Sequence, residues 1–411
     1  MNHVNGWVAP GFERVRETIE AMPAPWASGG GSLAAYVRGK LVVDLWGGLA
    51  RPGQRWQEDT LTCVASVTKS WSAVIVERLV EQGLLDHTTP ICTWWPEFAA
   101  HGKEKVTLHD FFTHSSGVLA FDGSCAFLDA DNCNGWKDLD GIAERLAAST
   151  PSWPPGTRNG YHAVSYGWLL NELVRRVSCS TIGELFDRDV SKPLGLDLHI
   201  GTSVADQQRL AHGISGDLTK GPFFKRTLLA YVSRKAASPE TLCGRALIAD
   251  GKSTILDRAP DYVKIPAWME SEVPGSNGTA TARSLARLFA ALAGGGELDG
   301  VRILKPATID VMRQARGRVA DSVMTEPMPA PLKLLQPKSV MTYGLAPNRK
   351  ALGKFQFGPN PASFASMGFG GQFVMGDPDA RVSLASLMTD FTLGVDAALQ
   401  QPVLAALYAC L

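Results

Sequence analysis

Apolar positions change rhythm along the chain. From 11 to 22, GFERVRETIEAM, they recur at helical spacing with charges paired one turn apart, which predicts an amphipathic helix. The next run, GSLAAYVRGKLVVDLWGGLA, is rich in Val, Leu and Tyr on both sides of Arg38-Gly39-Lys40 and predicts a β-hairpin. The chain is therefore expected to open as a helix and then a hairpin. After Ser66 an apolar-periodic run predicts a helix that stops at Gly83, a residue suited to the left-handed position beyond a helix end. From about 90 to 270 the character changes. KVTLHDFFTHSSG, LDGIAERLAAST, HAVSYGWLLNELVRRV, TIGELFDRDV and FFKRTLLAYVSRKAA predict helical pieces, joined by Pro- and Gly-rich loops such as SWPPGTRNG. TARSLARLFAALAGGG predicts a strong helix with a glycine stop. Strand-like runs then return in QFVMG and RVSLASLMTD, and VLAALYACL closes the chain as a helix.

This order predicts an α/β fold of the α+β type. A discontinuous sheet domain would be built from residues 1–89 and 275–411, and a mostly helical domain, residues 90–274, would be inserted between its halves. A length of 411 residues suits two domains better than one simple core.

Composition narrows the partners. Forty basic and forty acidic residues cancel, and no basic run is interleaved with aromatics, so no nucleic-acid partner is expected. The N-terminal residues lack a basic patch followed by an apolar core, so no signal peptide is read. The longest uncharged stretch, FQFGPNPASFASMGFGGQFVMG, is broken by Gly and Pro and makes a poor membrane helix. A cytoplasmic protein without membrane contact is expected. Seven cysteines lie scattered with no CxxC and are expected as reduced thiols; Cys125 and Cys133, eight apart in a polar loop, could bridge but are read as reduced with the rest. Eight histidines form no HExxH pair, so neither a metal nor another cofactor is expected.

The chemistry concentrates in three segments. In CVASVTKSW, Ser66 and Lys69 stand three apart, so they would share one helix face. A serine hydroxyl needs a nearby base or a cation to act as a nucleophile. The free N–H groups of a helix start, that of Ser66 among them, would favour a developing oxyanion. The same residues would also serve as a helix cap and a solvated surface lysine. In PSWPPGTRNGYHAVSYGWLL, Tyr161 follows a rigid loop and precedes a helix. A phenol becomes a base only if a cation holds its phenolate, and Lys69 could supply that charge; a tyrosine packed on the helix start is the other reading. Tyr166 is read as part of the packed helix face. His162 is expected to point away from Tyr161, because neighbours in an extended loop point apart, and His114 is read as structural. No GxSxG elbow occurs. In FASMGFGGQFVMG, glycines 368, 370 and 371 would allow close approach of backbone to a ligand, and an edge strand there could donate a second N–H.

With these segments in this order, the chain resembles the serine hydrolases of the class C β-lactamase and penicillin-binding-protein superfamily, and within it the family VIII carboxylesterases. SVTKS is similar to the family's Ser-x-x-Lys. PPGTRNGYHAVSYGWLLNELVRR resembles the esterase branch's second motif, and LVEQGLLD, LHDFFTHSSG and ARLFAALAGGGELDGVRIL resemble its connecting segments. The resemblance implies a β-lactamase-like fold, an antiparallel sheet flanked by helices. It implies Ser66 as acylated nucleophile, Lys69 and Tyr161 as its base pair, and Tyr161 as the proton relay to the leaving group. The third motif aligns with Ser366, Met367 and Gly368 as substrate-binding residues. The N–H of Phe369 would then join that of Ser66 in an oxyanion hole. Two departures stand out: Ala163 replaces the Asn of Tyr-x-Asn, and Ser366 replaces the lysine or histidine. Both lost groups help hold a β-lactam. The resemblance therefore implies a serine carboxylesterase acting on small-molecule esters, with weak or no β-lactam hydrolysis. An acyltransferase, an amidase or peptidase, a silent binding scaffold and a homo-oligomer remain open, and the loop from Phe121 to Trp136 is expected to border the cleft.

Overall fold

The chain opens on a strand rather than a helix. In the computed structural model, which describes residues 4–22, 26, 29–122, 128, 134–215, 223–248, 254–329, 338–351, 354–391 and 397–411, β1 (Val4–Val8) precedes α1 (Glu13–Glu20). The apolar pattern could not announce β1. Only its Val4 is buried, and Gly6 sits at φ 94° where a side chain would meet the Asp44 carbonyl. Its strand character is imposed by the neighbour it pairs with.

That neighbour belongs to the expected hairpin. β2 (Gly30–Val37) and β3 (Lys40–Arg51) are joined by Arg38 and Gly39, both at positive φ (50° and 77°), with Val37 opposite Lys40. Two consecutive left-handed residues are what a two-residue hairpin turn requires. A short β4 (Gln54–Arg55) folds back on β3. The remaining strands come from the other end of the chain: β5 (Ala346–Pro347), β6 (Phe364–Gly368), β7 (Gln372–Asp377) and β8 (Val382–Met388). All pairings are antiparallel and the order is β1-β3-β2-β8-β7-β6-β5.

Period-two alternation divides the sheet into two faces. Leu33, Ala35, Leu45, Met375 and Leu384 pack against Val15 and Ile19 of α1 and against Val403, Leu404 and Leu407 of the C-terminal helix Ala397–Tyr408. Ala34, Tyr36, Val374 and Ala385 face the opposite way. There they meet Leu285, Leu288 and Phe289 of the helix Ala282–Ala293, which Thr281 caps through its side chain. Beyond that helix lie the pieces between 90 and 274, which contribute no strand to this sheet among the described residues.

The predicted helices hold in kind and differ in extent. KVTLHDFFTHSSG is helical only over Leu108–Phe112, and TIGELFDRDV continues past Phe186 into a wider π-type turn. α2 (Thr68–Glu81) ends as expected. Gly83 takes φ 73°, its N–H reaches the Val80 carbonyl, and the N–H of Leu84 reaches that of Leu79, the paired bonds of a Schellman cap. No helix of the described residues is long and apolar enough to cross a membrane. Cys125 and Cys133, and most of the loop that holds them, lie outside the described residues.

Candidate active site

Three backbone segments converge on the site. The strand Thr62–Cys63 pairs with Thr279–Ala280 and delivers the chain to Ala65, a non-glycine residue at φ 47°. That conformation is sparsely populated and persists only when its surroundings enforce it. It starts a single 3-10 turn, Ala65–Val67, ahead of α2. Ser66 therefore lies in this turn and not in the helix itself. Residues three apart eclipse in 3-10 geometry, so Lys69 still stands over it. Thr68 locks the turn: its Oγ1 donates to the Ala65 carbonyl (2.6 Å) and accepts the N–H of Gly278 (3.0 Å).

Lys69 is buried, which removes the surface-lysine reading. Its ammonium donates to the carbonyls of Ala163 (2.6 Å) and Gly275 (2.7 Å) and to Ser66 Oγ (3.4 Å). Burial pulls its pKa below the ordinary lysine value, and the interaction with Tyr161 opposes that fall. The Gly275 carbonyl is aimed by a knot around Asn277, whose amide accepts the N–H of Val273 and donates to the carbonyls of Trp268 and Ser271. Ser72 donates to the Pro274 carbonyl beside it. Gly167, in the helix α3 (Ser165–Ser178), lets this segment come close; a Cβ there would collide with the Gly275 nitrogen.

Tyr161 completes the cluster. Its hydroxyl donates to Ser66 Oγ at 2.6 Å, and Lys69 Nζ lies 4.8 Å from the centroid of its ring. Its backbone N–H is held by Asp321 Oδ1 (3.1 Å) and its ring meets His114 edge-on. His162 finds its hydrogen-bond partners elsewhere. It is buried, with Nε2 2.9 Å from Ser116 Oγ and Nδ1 2.7 Å from the Gly160 carbonyl. Burial depresses its pKa to about 4, so the ring is neutral with both nitrogens engaged. Tyr166 is buried and its phenol is pushed up by desolvation, although its ring also faces Lys69 (5.7 Å).

β6 approaches the same turn. Its outer partner β5 covers only Phe364 and Ala365, so Ser366 to Gly368 run on past it. β6 is thus an edge strand only over that stretch. Gly368 makes the close approach possible: a Cβ there would run into the Val64 carbonyl and lie 3.2 Å from the Ser66 nitrogen. Phe369, Gly370 and Gly371 then turn the chain, the two glycines at φ 81° and 78°.

Two cavities meet at Ser66 and Tyr161. One, of about 330 Å3, is apolar and is lined by Val164, Leu247, Ile255, Val263 and Trp268 and by Gly368 and Phe369. The other, of about 240 Å3, is lined by Lys69, His114, Tyr166, Asp321 and Ser366. Met367, more than a third exposed, stands between them and lines both. Residues 123–127 and 129–133 of the Phe121–Trp136 loop are outside the described residues. Its Trp136 is buried against Trp268 of the apolar cavity. Asp197, His199 and Asp206 also gather ligand-type side chains, but Arg209 already bridges the two carboxylates.

The sequence-predicted residues Ser66, Lys69 and Tyr161 are thus within hydrogen-bonding reach of one oxygen, and Ser366, Met367, Gly368 and Phe369 line the same cleft. Thr68, Gly275, Asn277 and Asp321 were missed. The string PGSNG is readable as a turn, but nothing in it points to Ser66.

Among known proteins, the family model described as Beta-lactamase matches residues 15–409. The esterase/beta-lactamase LipL of Mycobacterium tuberculosis is 30% identical over 386 residues, covering 93% of this chain and 82% of that protein. A penicillin-binding protein homolog from Caulobacter crescentus superposes over 100% of both chains, with a TM-score of 0.80 and 30% identity. A family VIII carboxylesterase also superposes over 100% of both chains, with a TM-score of 0.80 and 29% identity.

Proposed function

This chain belongs to the beta-lactamase family, whose members include esterase relatives, and we propose that within it the protein is a serine carboxylesterase working through an acyl-enzyme at Ser66. The observation that carries this reading is the pair of contacts on one hydroxyl: Tyr161 at 2.6 Å and the buried Lys69 at 3.4 Å. Ser66 Oγ attacks the ester carbonyl carbon while its proton passes to the Lys69–Tyr161 pair. The carbonyl oxygen takes the negative charge between the N–H groups of Ser66 and Phe369. Tyr161 then gives the proton to the alcohol oxygen as the C–O bond breaks. Water repeats the attack on the acyl-enzyme, the pair takes its proton, and Ser66 recovers its own. A phenol suits this relay because its hydroxyl, 2.6 Å from Ser66 Oγ, can both accept and donate a proton.

The oxyanion assignment has its own test. Gly368→Ala is expected to force the end of β6 away from the Ser66 turn and to slow acylation by roughly a hundredfold, the usual effect of losing one oxyanion donor. Stopped-flow acylation with a p-nitrophenyl ester reads this directly. An unchanged acylation rate removes Phe369 from the hole.

The same cleft bears on the proposed preference for esters. A β-lactam brings a carboxylate that must be desolvated on entry, and an unpaired charge there is costly. Where relatives place a cation, this chain offers Ser366. Short p-nitrophenyl esters are expected to exceed a chromogenic cephalosporin in kcat/KM by about a hundredfold or more, since the carboxylate meets no paired partner. Ser366→Lys is expected to narrow that gap by roughly tenfold. Equal kcat/KM for the cephalosporin and the best ester in the unmodified protein would move the chain to the lactamases.

A further inference from the structure

Among the described residues lining the two cavities at Ser66, Asp321 is the only carboxylate. It is nearly buried, and one of its oxygens, Oδ1, accepts the N–H groups of Tyr161 (3.1 Å), Val323 (2.9 Å) and Met324 (3.0 Å). Burial raises its pKa, and these three donors oppose the rise by favouring the carboxylate. Oδ2 has no hydrogen-bond partner among the described residues. The wall offers little to neutralise this charge. Among its described residues Lys69 is the one lysine or arginine, and the three protons of its ammonium are directed at Ala163, Gly275 and Ser66. His114 also lines the cavity, but burial, His162 and Lys69 hold its pKa well below the ordinary value, so it is uncharged.

The mechanism decides which part of the substrate enters here. Lys69 lines this cavity and not the apolar one. Tyr161, which gives the proton to the departing oxygen, lines both cavities, and Lys69, which completes the pair, lines only this one, so the alcohol portion is assigned to the Lys69 side. The acyl chain is left to the apolar cavity.

We propose that Asp321 selects the leaving group by charge, admitting cationic and neutral alcohol portions and rejecting anionic ones, an inference that rests on the esterase reading. Asp321 is also a positioning residue for Tyr161 through the backbone N–H it accepts. The two roles separate by experiment. A positioning loss lowers turnover of every ester alike, whereas a charge effect changes the ratio between esters of different charge.

The test is kcat/KM at pH 8 for three acetates: acetylcholine, its neutral isostere 3,3-dimethylbutyl acetate, and the anionic 3-sulfopropyl acetate. The unmodified protein is expected to favour the cationic over the anionic ester. Asp321→Asn, whose amide oxygen can accept the same three N–H groups, is expected to reduce that ratio by about tenfold or more. An unchanged ratio in Asp321→Asn overturns the proposal. The unmodified protein gives a second reading that needs no variant. Choline is expected to inhibit p-nitrophenyl acetate hydrolysis at lower concentration than 3,3-dimethylbutanol, and 3-hydroxypropanesulfonate at the highest; the reverse order overturns the proposal. Failure to hydrolyse any of the acetates, p-nitrophenyl acetate included, would instead overturn the esterase reading beneath it.

Discussion

Ser66→Ala protein is expected to lose ester turnover by about ten-thousandfold or more, the scale on which removal of an acylated nucleophile acts, and to lose fluorophosphonate labelling altogether. The physical change is small. One partly exposed hydroxyl disappears from a 3-10 turn, and Ala65, Thr68 and the Gly278 contact that shape the turn are untouched. Lys69 keeps its two carbonyl acceptors at 2.6 and 2.7 Å. Folding stability should therefore stay within roughly 0.5 kcal/mol, as for substitutions that open no cavity and strand no buried charge. Intact-mass measurement after labelling, beside a denaturant titration, separates the two effects. A Ser66→Ala protein that labels at the wild-type rate would place the nucleophile elsewhere.

What the sequence made legible, and what it hid, follows from how local each signal is. Ser66 and Lys69 are three residues apart, so one turn of backbone brings them together whether it is an α-turn or the 3-10 turn found. The stop at Gly83 and the turn at Arg38-Gly39 are equally local, because they depend on left-handed φ at one or two residues. The strands β7 and β8 announced themselves by β-branched and apolar runs. Burial of Lys69 was not legible from spacing. It depends on Ala163 and Gly275, which lie 94 and 206 residues away along the chain and act through their carbonyls, and a carbonyl leaves no mark in the residue type. For the same reason the loss of Asn at 163 says little about Lys69: the main chain does the holding. β1 was missed because its pairing is supplied by β3, and Asp321 because a lone aspartate in a loop has no pattern. The resemblance to a family filled part of this gap by aligning distant segments, such as Tyr161, which periodicity could not bring to Ser66.

Tyr161→Phe is expected to lower kcat by about a hundredfold to ten-thousandfold while KM changes little, the range for loss of one general acid–base group. The ring keeps its contact with His114 and its place over Lys69, so packing survives and only the hydroxyl at 2.6 Å from Ser66 Oγ is lost. The pH profile carries a second signature. Burial holds the Lys69 pKa below its ordinary 10.5, and the interaction with Tyr161 raises it against that fall. The base form of the pair gains population as pH rises, so kcat/KM should climb with pH along a limb centred below 10.5; the limb belongs to the pair and not to either residue. Removing the phenol removes the part that raises Lys69, so the limb of the Phe variant should lie at lower pH than that of the wild type, on a much lower plateau. A limb that stays in place would uncouple Tyr161 from Lys69. His162→Ala is the control. It empties a buried site and leaves Ser116 without its partner at 2.9 Å, so stability should fall by roughly 2 to 3 kcal/mol. A ring already neutral, with its pKa depressed to about 4 and both nitrogens engaged, has no proton traffic with Ser66 to lose. Its effect on kcat in the folded protein should be far smaller than that of Tyr161→Phe, and the reverse ranking would make the histidine the base.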